Sequence, residues 1–229
     1  MQVHHARLDD CAAARGAVVV IDVIRAFTTA AYAFAAGARE IVLVASVEDA
    51  FALRERRPGS RVMGEVGGFP PPGFDYGNSP SAFLDADLHG VGLIHRTTAG
   101  TQGVVRSTGA QWLYVASFVN ASATVRALRR VAPPSVTLVS TGPEGEDEAC
   151  AKHLEALLAG RTPSPDWVAS VAGFGEQRFE DPAFAALAAT EGARQFRADI
   201  PCCMALDRFG FAMRVSRSDG LLVAHPEPT

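Results

Sequence analysis

The sequence predicts an α/β fold: a three-layer α/β/α arrangement around a mainly parallel (mixed) sheet, with an antiparallel element near its C-terminal end. Three observations lead there. Short β-branched runs alternate with Ala-rich segments whose apolar residues fall at helical spacing, the pattern of a parallel sheet covered by helices. Most runs give way to a polar loop rich in Gly, Ser, Thr or acids. Beyond residue 207 the alternation stops, and two apolar runs flank the turn signal Ser218-Asp219-Gly220.

The elements follow in order. The strand runs are AVVVIDV (17–23), EIVLVAS (40–46), SRVMGE (60–65), VGLIHR (91–96), WLYVAS (112–117) and SVTLVS (135–140). Between them AFTTAAYAFAAGA, SVEDAFALRERR, NASATVRALRRV and EDEACAKHLEALLAG read as helices, with Arg129, Arg130 and Lys152 on solvated faces. After PSPDW (163–167) an Ala-rich helix is expected near FEDPAFAALAATEGARQF. The segment RFGFAMRVSRSDGLLVAH then forms a closing antiparallel hairpin, and the tail PEPT is expected to fray. The 229 residues suit a single domain, 1–229, or two closely packed lobes of one.

Composition narrows the function. Apolar residues make up 48% and charged residues 20%, ordinary for a globular protein with a real core. A net charge of −4 argues against nucleic acid as a partner. No run reaches the roughly 18 apolar residues of a membrane span, and no signal-peptide layout precedes the first strand, so no membrane partner and a cytoplasmic location are expected. Cys11, Cys150, Cys202 and Cys203 form no C-x-x-C pair and read as buried thiols. CCMALDR matches the C-x5-R spacing of cysteine phosphatases, but its bulky interior cannot wrap backbone N–H groups around a phosphate. There is no G-x-G-x-x-G after the first strand, no Walker loop and no G-x-S-x-G elbow. The D-x-D pattern of Asp-based phosphatases fails at Ile24.

The polar residues gather where strands end. Asp22, Arg25, Thr28 and Thr29 follow the first strand. Thr97, Thr98, Gly100 and Thr101 follow VGLIHR. Ser117, Asn120 and Ser122 follow WLYVA, and Thr141, Gly142, Glu146 and Asp147 follow VTLVS. In an open α/β sheet, ligands bind outside the carboxyl ends of the strands, beside helix N-termini that favour anions. Any one of these loops alone reads as a helix cap. Four at one sheet edge, with an Arg that either pairs with Asp22 or clamps an oxyanion, read as an anion site. Glu146, Asp147 and Glu148 suit the first turn of a helix. Asp22, Glu65 and one of Glu146 or Asp147 also offer hard oxygen ligands for Mg²⁺. His95 is either a pocket residue or a core histidine, and His89 and His153 read as loop and helix-surface residues. The stretch GEVGGFPPPGFDYGNSP (64–80) cannot be a helix or central strand and reads as a pocket wall, with Glu65 at its mouth and Asn78-Ser79 at its far end.

In this order VVVIDVIRAFTTAAYAFAAGA, GEVGGFPPPGFDYGNSP, RTTAGT, the Asn of SFVNAS and TGPEGEDEACA resemble the motifs of the 2-phosphosulfolactate phosphatase (ComB-like) family, with a further echo in DIPCCMALDRFG. The resemblance implies a phosphoric monoester hydrolase that uses Mg²⁺ to convert (2R)-O-phospho-3-sulfolactate to sulfolactate and phosphate, a step in coenzyme M biosynthesis. Asp22, Arg25 and Thr28 match the first motif. Glu65, Gly67, Gly68, Asp75, Asn78 and Ser79 match the second, Thr97, Thr98, Gly100 and Thr101 the third, and Glu146 and Asp147 the fourth. Expected roles are Asp22, Arg25 and Glu65 in catalysis, and Asp22, Glu65, Glu146 and Asp147 around the metal. Thr28, Asn78, Ser79, Thr97, Thr98, Gly100, Thr101 and Asn120 are expected around a small anionic organic phosphate, in a chain that also allows a homodimer. Val66 stands where the family usually has Arg, Ala99 where it has Asn and Phe27 where it has Thr. These exchanges keep open a phosphatase of changed specificity and a non-catalytic anion-binding member.

Overall fold

A computed structural model describes residues 1–142, 145–177 and 191–229. Nine strands form one mixed sheet in the order β1-β7-β2-β6-β8-β9-β3-β5-β4. The strands are β1 (Gln2–Arg7), β2 (Gly16–Ile21), β3 (Glu40–Leu43), β4 (Arg61–Gly64), β5 (Gly92–Arg96), β6 (Ala110–Ala116), β7 (Ser135–Ser140), β8 (Phe211–Ser218) and β9 (Leu221–Pro228). Two parallel blocks are visible: β1-β7-β2-β6 and β3-β5-β4. The β8–β9 hairpin stands between them, antiparallel to β6 on one side and to β3 on the other. The expected antiparallel element is therefore present, but it joins the sheet in the middle and closes no edge.

Ala17–Ile21 are fully buried, as a run of Val and Ile must be when a central strand has helices over both faces. Side-chain alternation splits the core accordingly. Val18 and Val20 of β2, with Ile41 and Leu43 of β3, face α1 (Ala26–Ala35) and α3 (Gly100–Arg106). Ala17, Val19 and Ile21 face α4 (Ala121–Val131), α5 (Glu146–Leu158) and α6 (Asp166–Gln177). On that same face, across the hairpin, α2 (Val47–Arg56) covers Val42, Val62, Ile94 and Val223. Helix α1 is buried from Ala26 through Phe34, which explains why its sequence has almost no polar face. Burying Phe27 alone contributes about 2–3 kcal/mol, so an apolar residue at this position belongs to the core.

Local signals set the boundaries. Ser46 Oγ accepts from Asp49 N–H at 3.0 Å and caps α2, whose first turn holds Glu48 and Asp49 and whose last turn holds Arg54 and Arg56. Helix α4 stops at Ala132, at φ 45°, before Pro133-Pro134. Asp219 and Gly220, at φ 51° and 78°, make the two-residue turn of the hairpin. Gly64 ends β4 at φ 133°, where an added Cβ would lie 1.8 Å from the Arg96 carbonyl oxygen, so no other residue fits.

Three expectations change. The PEPT tail is ordered, because β9 runs to Pro228 and Arg130 Nη2 donates to Glu227 Oε1 at 2.8 Å and to the Pro228 carbonyl at 2.9 Å. Its prolines fall past Leu222–Ala224, the stretch shared with β3, where a missing N–H breaks no bond to that strand. Residues 2–7, in which no strand was recognised, form the edge strand β1 beside β7. His153 is buried, with its ring edge-on to Phe118 at 5.5 Å, because it lies on the face α5 turns to the sheet. The Ala-rich helix expected at 179–196 falls largely outside the described residues. Its end belongs to a final helix, α7 (Glu191–Cys203). No described helix is long and apolar enough to cross a membrane.

His95 of β5 lies beside Met63 in the sheet and is fully buried. Neither ring nitrogen has a hydrogen-bond partner among the described residues. Burial pushes its pKa down to about 3. The fold therefore holds it neutral, while the unfolded chain takes up a proton below its ordinary value of 6.5. Stability should fall as pH drops from about 6.5 toward 3, by up to about 1.4 kcal/mol per pH unit from this one group. Denaturant unfolding of wild type and His95→Leu across that range checks it. The variant should show a shallower loss, and parallel curves would remove His95 from the account.

Candidate active site

The site is assembled from strand-end loops held by buried carboxylates. At the end of β4 the chain turns back on itself. Val66 and Phe69 exchange backbone hydrogen bonds of 2.8 and 3.2 Å around Gly67-Gly68, which sit at φ 59° and 94°. The Glu65 carboxylate pins this tight turn to the loop after β5. Oε1 accepts from Thr98 N–H at 2.5 Å, while Oε2 accepts from Gly68 N–H at 2.6 Å and from Thr98 Oγ1 at 3.0 Å. Thr98 Oγ1 in turn accepts from Gly67 N–H at 2.9 Å. Only 7% of Glu65 is exposed, so these donors stand in for water around its charge.

Asp147 plays the same part between β2 and β7. Its Oδ1 accepts from Val23 N–H at 2.7 Å, and its Oδ2 from Gly142 N–H at 2.8 Å, Thr141 N–H at 3.1 Å and Thr141 Oγ1 at 3.3 Å. Burial, followed by the charges of Asp22 and Glu146, pushes its carboxyl well above the usual carboxylate range. The N–H groups of Val23 and Gly142 pull the other way. Asp147 thus sits against the like charges of Asp22 and Glu146 at the ends of β2 and β7. Asp22 Oδ1 also accepts from Ala26 N–H at 2.9 Å and so holds the first turn of α1. A Cβ on Gly100 would meet Asp22 Oδ2 at 2.7 Å, so only glycine lets α3 start this close to the acid.

Arg25 is 9% exposed and follows a cis Ile24–Arg25 peptide. Its Nη1 donates to Asp199 Oδ2 of α7 at 2.7 Å, its Nη2 lies 3.5 Å from the Gly68 carbonyl, and its Cζ stands 4.8 Å over the ring of Phe196. The other oxygen of Asp199 accepts from Ser79 Oγ and Ser81 Oγ at 2.6 Å each and from Ser81 N–H at 3.0 Å. A cavity of about 110 Å³ opens between these groups, lined by Arg25, Gly68, Phe69, Asn78, Ser79 and Phe196 among others. Asn78 is 6% exposed, and its Oδ1 has no hydrogen-bond partner among the described residues.

The residues singled out in the sequence thus fall into groups. Glu65 meets Thr98, Asp22 meets Gly100 and Asp147, and Arg25 reaches the Asn78-Ser79 wall through Asp199. Thr97 and Thr101 cap α3 reciprocally, each hydroxyl accepting from the other's backbone N–H at 2.9–3.0 Å. That pair holds the helix start where Ala99 offers no side-chain cap. Thr28 donates to the Val23 carbonyl at 2.8 Å inside the turn before α1. Asn120 is fully buried and folds back on Ser117 N–H at 3.1 Å, while its Nδ2 has no partner among the described residues. Asp199 was not picked out from the sequence. Its signals are the DIPCCMALDRFG echo, which begins with it, and its place as an acid between Ala198 and Ile200 on a helix that also carries Arg194 and Arg197, ahead of Pro201.

Among the described residues no three His, Cys, Asp or Glu side chains form a ready-made metal cage. Asp147 already accepts from four donor groups and Glu65 from three, so both act first as loop tethers. Mg²⁺ commonly binds through one or two carboxylates, completing its shell with water and substrate oxygens. Asp22 and Glu146, the two acids that act on Asp147, fit that smaller demand, and a divalent cation would offset their charge.

Replacing Glu65 by Gln puts an amide NH₂ where only acceptors are wanted. The variant should lose about 1–3 kcal/mol of stability, the cost of leaving a buried donor unpaired. Denaturant unfolding at pH 7 measures this, and an unchanged midpoint would show that the 64–68 turn does not hang on this carboxylate.

The sequence profile of the 2-phosphosulpholactate phosphatase family matches residues 3–217. A protein of Parasynechococcus marenigrum is 34% identical over 223 residues, 91% of this chain and 92% of its own length. One from Thermus thermophilus is 34% identical over 197 residues, 81% of this chain and 82% of its own. One from Bacillus subtilis is 37% identical over 145 residues, 62% of this chain and 64% of its own length. Each is named a probable 2-phosphosulfolactate phosphatase. With a family match over nearly its whole length, the chain belongs to the 2-phosphosulpholactate phosphatase family, a family of phosphoric monoester hydrolases.

Proposed function

We propose that this chain is a Mg²⁺-dependent phosphomonoester hydrolase acting on a small anionic organic phosphate, with (2R)-O-phospho-3-sulfolactate as the reference substrate. The observation that carries the reading is Arg25: a buried guanidinium, held by Asp199 and Phe196, beside a cavity at the carboxyl ends of the strands. Arg25 binds phosphoryl oxygens through charge-assisted hydrogen bonds. Asn78 and Ser79 line the same cavity and orient the ester. Glu65, Thr97, Thr98 and Thr101 fix the backbone that shapes the pocket. Asp22 and Glu146 would hold Mg²⁺, with Glu65 and Asp147 tethering the loops around it; the ion would supply positive charge to polarise the phosphoryl group and bring water to it. Burial of Asp22, Arg25 and Glu146 keeps bulk water from weakening these interactions.

Phosphate release from phosphosulfolactate and a panel of phosphomonoesters, with Mg²⁺ and with EDTA, tests this. Turnover should need the metal, and Arg25→Ala should lower kcat/KM by roughly 100-fold, about 2.7 kcal/mol of transition-state binding. Metal-independent turnover would sink the Mg²⁺ assignment. Ligand-induced stabilisation with no turnover on any ester would instead identify a binding protein.

A second reading, a phosphatase of altered specificity, is favoured by Val66. This residue is 45% exposed at the base of the Gly67-Gly68 turn, where the resemblance leads one to expect Arg. Losing a fixed cation weakens the reading of a second anionic group on the substrate. Val66→Arg should shift preference toward sulfonated over uncharged esters by about tenfold, roughly 1.4 kcal/mol. An unchanged preference would show that position 66 does not read the sulfonate.

A further inference from the structure

Arg25 and Ser79, both in the lining of the cavity, hang from one carboxylate. Asp199 lies 174 residues from Arg25 in sequence and is fully buried. An ionised carboxylate has about four acceptor sites and no donor. Here Oδ2 takes Arg25 Nη1, while Oδ1 takes the hydroxyls of Ser79 and Ser81 and the N–H of Ser81. Phe196 lies three residues earlier, on the same side of α7, and covers the guanidinium from above. The helix therefore grips Arg25 by edge and by face, and also holds Ser79, which lines the cavity with its neighbour Asn78. A buried ion pair is weak evidence of added stability, since desolvation offsets much of the attraction. What it does fix is direction: a guanidinium has five N–H donors, and fastening one determines where the others point.

We propose that Asp199 is a positioning residue. It sets the orientation in which Arg25 presents its remaining N–H groups to the phosphate ester, and it keeps the Asn78-Ser79 wall in register with them. This rests on Arg25 contacting the phosphate. The chemistry of Asn at position 199 separates positioning from mere support. Its single carbonyl oxygen serves best on the side with three donors, Ser79 and Ser81, which turns the NH₂ toward Arg25. Asp199→Asn thus keeps most of the tether and displaces Arg25.

The experiment is a double-mutant cycle on the full-length chain. Asp199→Asn should raise KM for the ester roughly tenfold, whereas Ser81→Ala should lower Tm but leave KM within about twofold. In an Arg25→Ala background Asp199→Asn should cost nothing further in kcat/KM. If Asp199→Asn does not fold, Phe196→Leu tests the other half of the grip, with a KM increase of about threefold that disappears with Arg25→Ala. Additive losses, or equal KM effects of Asp199→Asn and Ser81→Ala, overturn the proposal. If no ester is turned over, the catalytic reading fails, and the same cycle is run on the Kd for inorganic phosphate. An Arg25-dependent affinity that Asp199→Asn leaves intact overturns positioning, as does a wild-type chain that binds no phosphate.

Discussion

The sheet depends on how β8 and β9 pair. Each parallel block, β1-β7-β2-β6 and β3-β5-β4, would present an open strand, β6 or β3, toward the other. The hairpin meets both. Its Leu113–Val115 partners on β6 and its Ile41–Leu43 partners on β3 make one ladder of what would otherwise be two. Side-chain alternation then matches across the seam, with Met213, Val215, Leu222 and Ala224 continuing the layer that contains Val20 and Leu43. The candidate site inherits this continuity. Glu65 and Thr98 come from one block and Asp22, Arg25 and Asp147 from the other, and their loops meet only if both blocks share one sheet.

Across the site, carboxylates work as fasteners. Glu65, Asp147 and Asp199 each gather three or four donors from loops far apart in sequence, and each is at least nine-tenths buried. An oxygen that accepts backbone N–H groups directly is a stiffer connection than a packed side chain, because leaving such a donor unmade costs more than the bond itself yields. Among the described residues the same economy of groups leaves Arg25 with spare donors, Asn78 with an unpaired acceptor, and Asp22 and Glu146 close to a third acid.

The sequence revealed the layers and the edge at which the site lies, because periodicity and strand-end polarity are local signals. Ala17–Ile21 announce a strand buried on both faces, and the Thr97–Thr101 loop announces a helix start. What each acid does was not legible. Glu65 and Asp22 look alike on paper, yet one lies within reach of Thr98 and Gly68 and the other of Gly100 and Asp147. Those partners are set by strand order, which no local pattern encodes. Asp199 was missed for the same reason: its partners are 118 to 174 residues away. The edge strand β1 was missed because QVHHAR, mostly exposed beside a single neighbour, has little apolar alternation to show.

The hairpin's position also orders events in the making of the protein. Residues 211–228 follow both blocks in the chain, so during synthesis each block exists before the strand pair that will join them. Until then β6 and β3 are unpaired edges bearing the interior residues of the finished sheet, the kind of surface on which chains pair with the wrong partner. The contacts that end this exposure span long stretches of sequence, and such contacts form slowly. The centre of the finished sheet is thus built from the last strands to be synthesised, and until they arrive the edges of β6 and β3 stay open to wrong pairing.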